Sequence, residues 1–166
     1  MADMFSITVE TDMFNKHILD FMAKSKLSTR TIIRKFALDL LTKIIKKSPV
    51  DTGRFRGAWL YSMQELGGRD TVPFTPMQRR YDKRYSSTEE NIGKSLGEFK
   101  ESVTGSLDYW VEIINGVDYA IFLEYGYSKQ APYGMVRLSM REMRKGVLPG
   151  QMSKELQKDW NSFYGL

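Results

Sequence analysis

The chain contains no cysteine and only one histidine, His17. Disulfide bonds and thiolate metal sites are therefore excluded, and so are the common zinc sites, which need several Cys or His ligands. No stretch longer than 8 residues is free of charged side chains, whereas a membrane-spanning helix needs about 20 apolar residues. The first residues lack the basic start and apolar core of a signal peptide. We therefore expect a soluble, unexported protein with no membrane partner. The absence of cysteine suits folding in a reducing cytoplasm.

Sequence motifs of catalysis are also scarce. Gly93-Lys94-Ser95 matches the end of a phosphate-binding loop, but Thr88 occupies the position of its first glycine and no buried strand precedes it. Asp51 together with Glu98-Phe99-Lys100 loosely resembles the carboxylates and lysine of a magnesium-dependent nuclease. That chemistry needs carboxylates on adjacent strands, and we predict a turn at the first position and a helix at the second. We therefore expect no enzymatic activity, no cofactor and no metal site, with a nuclease as the enzymatic alternative.

Positive charge is concentrated in one part of the chain. Residues 13–47 carry nine Lys or Arg side chains against Asp20 and Asp39, whereas the whole chain has a net charge of +5. Basic helices attract DNA, RNA and acidic protein surfaces alike, and a basic face can also simply keep a helix solvated. A nucleic-acid-binding module that uses this helix is therefore an open alternative.

The hydrophobic pattern predicts an α+β fold. Apolar side chains recur at spacings of three and four over Ile33–Ile45, which predicts a long amphipathic helix that begins at Ser28 or Thr29. Alternating apolar and polar side chains predict one strand at Phe55–Met63, and a β-rich run predicts another at Tyr109–Ile114. We expect the long N-terminal helix to pack on a small antiparallel β-sheet that C-terminal helices follow.

Shorter patterns predict the remaining elements of what we expect to be a single domain over residues 1–166. In chain order these are a strand at Phe5–Val9, a helix capped by Asp12, a helix at Tyr119–Tyr125 capped by Asp118, a helix from Pro132 through Val147, and a last helix at Leu156–Phe163.

A polar excursion at about residues 64–108 separates the two longer predicted strands. Gly67-Gly68 and two prolines break regular structure near its start. Ser86 or Ser87, followed three residues later by a glutamate, predicts the beginning of a short helix that extends through Phe99. Polar stretches of this length usually serve a function or a partner, so we expect part of it to move in the isolated protein.

Basic and aromatic side chains are mixed within this excursion, at Arg79, Arg80, Tyr81 and Tyr85. Tyrosines can anchor a protein interface, and they can also stack on nucleic-acid bases while arginines neutralise phosphates. The same pattern is compatible with a solvated loop, and the sequence leaves the three interpretations open.

The end of the long helix has a strong turn signal. Pro49 cannot continue the helix, and Asp51 and Thr52 can bond forward to nearby backbone N–H groups. Gly53 can adopt a positive φ at little cost. We therefore predict a tight turn between the helix and the segment that begins at Arg54.

This turn belongs to a segment that resembles a known family. The sequence SPVDTGRFRGAW at residues 48–59, and VDYAIFLEYG at residues 117–126, resemble the neck or tail-completion family of tailed bacteriophages, which are minor structural proteins that join head to tail. Ala131-Pro132 with Arg137 is similar to a degenerate form of the family's Ala-Arg-Pro segment. The resemblance covers residues 28–63 and 109–145. The chain departs from the family in the polar excursion and in Tyr127, where the family usually has a threonine.

The resemblance implies a structural role in the virion, at the head–tail junction, after assembly in the host cytoplasm. It implies a ring, usually of six subunits, that contacts connector or head-completion proteins on one side and tail tube or terminator proteins on the other. DNA would pass through the ring without sequence specificity. A tail terminator that caps the tail tube is the alternative within the same class.

A closed ring requires that one surface of a subunit meet a different surface of its neighbour. We expect the basic helix and the acidic, tyrosine-rich segment Asp118–Tyr127 to be complementary faces, with Arg54 and Arg56 reaching a carboxylate such as Glu124. The alternative is a tight turn with no partner contact. The candidate interface residues are Asp51, Thr52, Arg54, Arg56, Arg79, Arg80, Tyr81, Tyr85, Asp118, Tyr119, Glu124 and Tyr127.

Overall fold

The computed structural model describes residues 5–6, 29–69, 72–104 and 108–144. Its helices and strands confirm the α+β class with C-terminal helices. None of the described helices is both long enough and apolar enough to cross a membrane. In chain order the elements are β1 (Phe5–Ser6), α1 (Thr29–Lys47), α2 (Arg54–Glu65), two 3₁₀ turns (Gln78–Arg80 and Asp82–Arg84), α3 (Ser87–Ser95), β2 (Gly97–Thr104), β3 (Asp108–Asn115), α4 (Ala120–Glu124) and α5 (Val136–Arg144).

The sheet has the strand order β1-β3-β2, and both pairings are antiparallel. β3 confirms the strand predicted at Tyr109–Ile114, and Phe5–Ser6 lies within the predicted first strand. Phe99 pairs with Ile113 in the register, and both side chains pack against the buried core. The predicted helix after Asp12, and the predicted helix at Leu156–Phe163, lie outside the described residues.

Helix α1 confirms the predicted long amphipathic helix. Its apolar stripe enters the core, where Leu41, Ile44 and Ile45 are fully or almost fully buried. The helix ends at Lys47, and the Ser48 hydroxyl donates a hydrogen bond to the Ile44 carbonyl at 2.8 Å. Pro49 then prevents a further turn, as the sequence predicts.

The strand predicted at Phe55–Met63 is wrong, because this segment forms helix α2. Eight of its residues are buried, on nearly every side of the helix. Phe55, Trp59 and Met63 are four residues apart, which fits one face of a helix as well as alternate positions of a strand. Because the helix is buried all round, no one-sided period distinguishes the two. Trp59 is among the largest fully buried side chains of the core.

Three helix boundaries also differ from the predictions. Helix α4 spans Ala120–Glu124 rather than Tyr119–Tyr125, and its N-cap residue is Tyr119, not Asp118, with no side-chain capping hydrogen bond. Ser86 caps α3 by accepting a hydrogen bond from the Glu89 N–H at 3.2 Å, as expected, but α3 ends at Ser95 and Phe99 lies in strand β2. Pro132 lies in a turn rather than in the first turn of a helix, because α5 begins at Val136.

The described part of the polar excursion is integrated into the fold, since it supplies α3 and β2. Helix α3 packs on α2 at a crossing where each helix places a glycine against the backbone of the other. A Cβ atom at Gly57 would lie 2.1 Å from the Glu90 carbonyl oxygen, and one at Gly93 would lie 1.9 Å from the Arg54 carbonyl oxygen. The two backbones therefore meet at a distance that excludes any side chain. How far the excursion moves stays a prediction.

Replacing Gly93 with alanine tests this crossing. We expect Gly93→Ala to lower the free energy of unfolding by about 1–3 kcal/mol, because the helices must separate, although alanine alone favours a helix by about 1 kcal/mol. Urea unfolding followed by circular dichroism measures the change. The control Asn91→Ala, at an exposed position of the same helix, should change stability by less than about 0.5 kcal/mol. A stabilised Gly93→Ala variant would contradict the close approach.

Helix α1 also buries a carboxylate. Asp39 is 2% exposed, and its Oδ2 has no hydrogen-bond partner among the described residues. Burial raises the pKa of Asp39 to about 6, even though Lys35 and Lys43 favour the charged form. The folded protein therefore binds a proton on the Asp39 carboxyl more tightly than the unfolded chain does. As a result, the free energy of unfolding falls as the pH rises from about 4 to 6.

Replacing Asp39 with asparagine should remove this loss. We expect Asp39→Asn to be about 1–3 kcal/mol more stable than the parent at pH 7, with the difference shrinking as the pH falls towards 4. Urea unfolding at the two pH values measures it. The exposed control Asp118→Asn should shift stability by less than about 0.5 kcal/mol. Equal stability of Asp39→Asn and the parent at pH 7 would show that the buried carboxylate carries no such cost.

Candidate functional site

The turn between α1 and α2 is held by three amide side chains from distant parts of the chain. The Gln78 amide nitrogen donates to the carbonyls of Ile45 and Ser48 at 2.9 and 2.8 Å, where α1 ends. Gln130 pairs with both backbone groups of Val50, at 2.9 and 2.8 Å. Backbone groups that the helix end leaves without partners are thereby satisfied.

The third amide secures the beginning of α2. Asn115 is 1% exposed; its Nδ2 donates to the Phe55 carbonyl at 3.0 Å, and its Oδ1 accepts from the Val117 N–H at 3.2 Å. It thus links the end of β3 to α2. Together we call Gln78, Gln130 and Asn115 the amide clamp.

The turn itself has the predicted backbone but a different partner for one side chain. Gly53 adopts φ +105°, as expected. The Thr52 hydroxyl accepts a long hydrogen bond of 3.5 Å from the Arg54 N–H. The expectation that Asp51 bonds forward to the backbone is wrong, because its carboxylate binds the exposed Arg84 guanidinium, with an Nε–Oδ1 distance of 2.7 Å.

Four candidate residues meet on one surface beside this turn: Asp51, Arg54, Asp118 and Tyr119. The Arg54 Nε donates to the Glu89 carboxylate at 2.9 Å. Burial raises the pKa of Tyr119, nearby Arg54 opposes the shift, and the carboxylates of Asp51, Glu89 and Asp118 add to it. The Tyr119 ring also lies 6.3 Å from the Phe55 ring. The two segments that carry the family resemblance therefore pack against each other.

The expectation that Arg56 reaches a partner's carboxylate is wrong, because Arg56 is 3% exposed. Its guanidinium donates to the Val72 carbonyl and lies 4.5 Å from the centre of the Phe74 ring. Burial lowers its pKa, with Glu90 opposing the shift. Arg56 therefore anchors the polar excursion to α2 from inside the fold.

Glu124 is also an internal residue, at 2% exposure. Its carboxylate accepts hydrogen bonds of 2.8–2.9 Å from the N–H groups of Met135, Val136 and Arg137, and one of 3.1 Å from the Arg137 Nε. A carboxylate at this position satisfies the N-terminus of α5 and its positive dipole end. The predicted pairing of Arg54 or Arg56 with Glu124 is therefore wrong, since each has other partners within the chain.

Tyr85 likewise turns inward. Its hydroxyl donates to the Glu90 carboxylate, and its ring packs edge-on against Phe74 at 5.1 Å between centroids. Burial and the contact with Glu90 raise the pKa of Tyr85 to about 12. Arg79, Arg80 and Tyr81 remain exposed, as an interface would require.

An exposed group of aromatic side chains covers α4 and the residues after it. Tyr119, Phe122, Tyr125 and Tyr127, which we call the aromatic face, are 40%, 54%, 63% and 79% exposed. The Phe122 and Tyr127 rings meet edge-on at 5.7 Å, and the Arg137 guanidinium lies 4.9 Å from the centre of the Tyr125 ring. Exposed aromatic clusters of this kind mark sites of interaction with other proteins.

A small groove lies between the end of α1, residues 75–78, residues 130–134 and α5. Its volume is about 180 Å³, below the range of about 300–1,000 Å³ that is typical of small-molecule and cofactor sites. Met77, Pro132 and Leu138 contribute apolar lining, and Lys46 and Lys47 contribute basic groups. We call it the α1–α5 groove. Its size fits a side chain rather than a cofactor.

The basic charge of α1 is largely used within the chain. Of the six Lys and Arg residues in α1, four form ion pairs with two glutamates. Arg30 and Arg34 bind Glu101 of β2, and Lys43 and Lys47 bind Glu142 of α5. These pairs tie α1 to the sheet and to α5, and they leave less charge for a nucleic acid than the sequence indicates.

The residues of the two partial catalytic motifs have other contacts in the fold. Gly93-Lys94-Ser95 lies in helix α3, with Gly93 packed against α2. Lys100 pairs with Glu98 at 3.2 Å, and Asp51 pairs with Arg84. Among the described residues, no three His, Cys, Asp or Glu side chains form a group that could hold a metal ion. Comparison of the chain with protein-family models, with curated proteins and with solved structures finds no match in any of the three.

The sequence analysis predicted the segment Asp118–Tyr127 as an interface but did not name Phe122 and Tyr125 among its candidate residues. Both occur in the resembling segment, three residues apart, so they lie on one face of the helix predicted there. That spacing was the signal that could have identified them. The sequence analysis also missed the buried Gln78 and the half-buried Gln130, because such a glutamine in a polar stretch has the same sequence context as an exposed one.

Replacing Gln78 with methionine tests the amide clamp. The apolar side chain has a similar length but leaves the Ser48 carbonyl without a donor and the Ile45 carbonyl with only the 3.3 Å bond from the Ser48 N–H. We therefore expect the free energy of unfolding to fall by about 1–3 kcal/mol. Urea unfolding provides the measurement. The control Arg79→Met changes the exposed neighbouring residue and should alter stability by less than about 0.5 kcal/mol. If both variants unfold at the same urea concentration, the clamp does not stabilise the turn.

Proposed function

We propose that this protein is a virion structural protein of the phage head–tail junction, a neck or tail-completion subunit. It assembles into a ring through surface contacts and catalyses no reaction. The ring has six subunits and surrounds the path of the DNA, which it contacts without sequence specificity. Its neighbours are connector or head-completion proteins on one side and tail tube or terminator proteins on the other.

The observation that carries the proposal is the aromatic face. Tyrosine and phenylalanine side chains supply large contact areas at low entropic cost, and they dominate the binding energy of protein interfaces. The face is presented on α4, which Phe55 contacts through Tyr119 and which Glu124 links to α5. A rigid, exposed aromatic surface of this kind favours self-assembly over catalysis.

The packing of the two resembling segments adds support. Arg54, in the first segment, shares a charged surface with Asp118 and Tyr119 of the second. Residues that resemble one family in two distant parts of the chain thus adjoin in space. The nucleic-acid-binding alternative has less support, because most basic side chains of α1 are paired internally.

The proposal predicts rings in solution that depend on the aromatic face. We expect size-exclusion chromatography with light scattering, and negative-stain microscopy, to show closed rings of the purified protein as its concentration rises. Phe122→Asp should weaken assembly by about 30-fold or more, because a central aromatic anchor contributes about 2 kcal/mol or more.

The matched control is Trp110→Asp, which changes an aromatic side chain of similar exposure on strand β3. It should assemble as the parent does. A parent protein that stays monomeric at every concentration would contradict the proposed function, and equal weakening by both variants would show that the aromatic face has no special part in assembly.

A further inference from the structure

We infer that the α1–α5 groove receives the Phe122 ring of a second copy of this chain, so that neighbouring subunits join aromatic face to groove. The inference rests on the proposed ring-forming function and names the two surfaces that would form the ring contact. Neither surface has a partner within the described residues that covers it.

The size and lining of the groove fit one aromatic side chain. A volume of about 180 Å³ is too small for a drug-sized ligand. Met77, Pro132 and Leu138 provide apolar walls, and the buried Gln78 also lines the groove. Its amide already bonds the Ile45 and Ser48 carbonyls and the Thr75 N–H. The groove therefore offers an entering aromatic side chain mainly apolar contact.

The charges around the two surfaces are complementary. Lys46 is exposed at the edge of the groove, and Arg79 and Arg80 directly follow Gln78 in the chain. The aromatic face instead has an acidic flank at the exposed Asp118, which directly precedes Tyr119. The other carboxylates near Tyr119, Asp51 and Glu89, are paired with Arg84 and Arg54. An acidic flank on one copy meeting a basic edge on the next steers the two surfaces together and opposes the contact of like surfaces.

Both surfaces are also held in place before they meet. Gln130 fixes the wall of the groove to Val50, and Glu124 fixes the segment between the aromatic face and α5. Little conformational entropy is therefore lost on docking. Because the face and the groove are different surfaces, each subunit uses one for each neighbour. This is the type of contact that forms a ring when the rotation between neighbours closes.

Two variants that each lose one surface test the inference. Phe122→Ala removes the phenyl group from the aromatic face but keeps the groove, and Leu138→Trp fills the groove but keeps the aromatic face. We expect each variant alone to be monomeric at a concentration at which the parent forms rings. An equimolar mixture has one intact face and one intact groove in each pair, so it should form dimers and nothing larger, as measured by light scattering.

The outcomes separate the inference from the proposed function. If the parent forms rings but the mixture stays monomeric, the ring uses other surfaces, and the inference is wrong while the proposed function stands. If the parent forms no rings, the proposed function fails and the inference fails with it. Circular dichroism and thermal unfolding verify that the variants fold. Met77→Trp, at an exposed position beside the groove, replaces Leu138→Trp if the latter does not fold.

Discussion

The structure depends on how the chain turns between its two longest described helices. At Pro49–Gly53 helix α1 ends and helix α2 begins, and the backbone groups exposed by this break lie at the edge of the core. The amide clamp satisfies them from three separate segments, through hydrogen bonds of 2.8–3.0 Å. Since buried backbone groups without partners are costly, this arrangement commits the distant segments to fixed positions around the turn.

The turn thereby positions both surfaces to which we assign the assembly function. Asn115 connects it to the end of β3, from which the chain enters α4 and the aromatic face. Gln78 and Gln130 connect it to two walls of the α1–α5 groove. A single rigid element thus orients a surface that can donate an aromatic ring and a surface that can accept one.

Sequence patterns predict those elements whose burial is one-sided. The helical period of its apolar residues predicts α1, and the β-rich composition of Tyr109–Ile114 predicts β3. The backbone freedom of glycine predicts the positive φ of Gly53. Helix α2 could not be predicted in this way, because it is buried on nearly every side and the spacing of its apolar residues over Phe55–Met63 fits both a helix and a strand. At the site, the sequence identifies Asp51, Arg54, Asp118 and Tyr119, which do gather on one surface. It cannot reveal that Arg56 and Glu124 face inward, because their partners are backbone groups brought near only by the fold.

The central claim is that copies of this chain bind one another through the aromatic face. Electron cryomicroscopy of the assembled protein tests it most directly. The account predicts a ring in which the Phe122 side chain of each subunit is buried against Met77 and Leu138 of the next. A ring in which Phe122 stays exposed to solvent would contradict it.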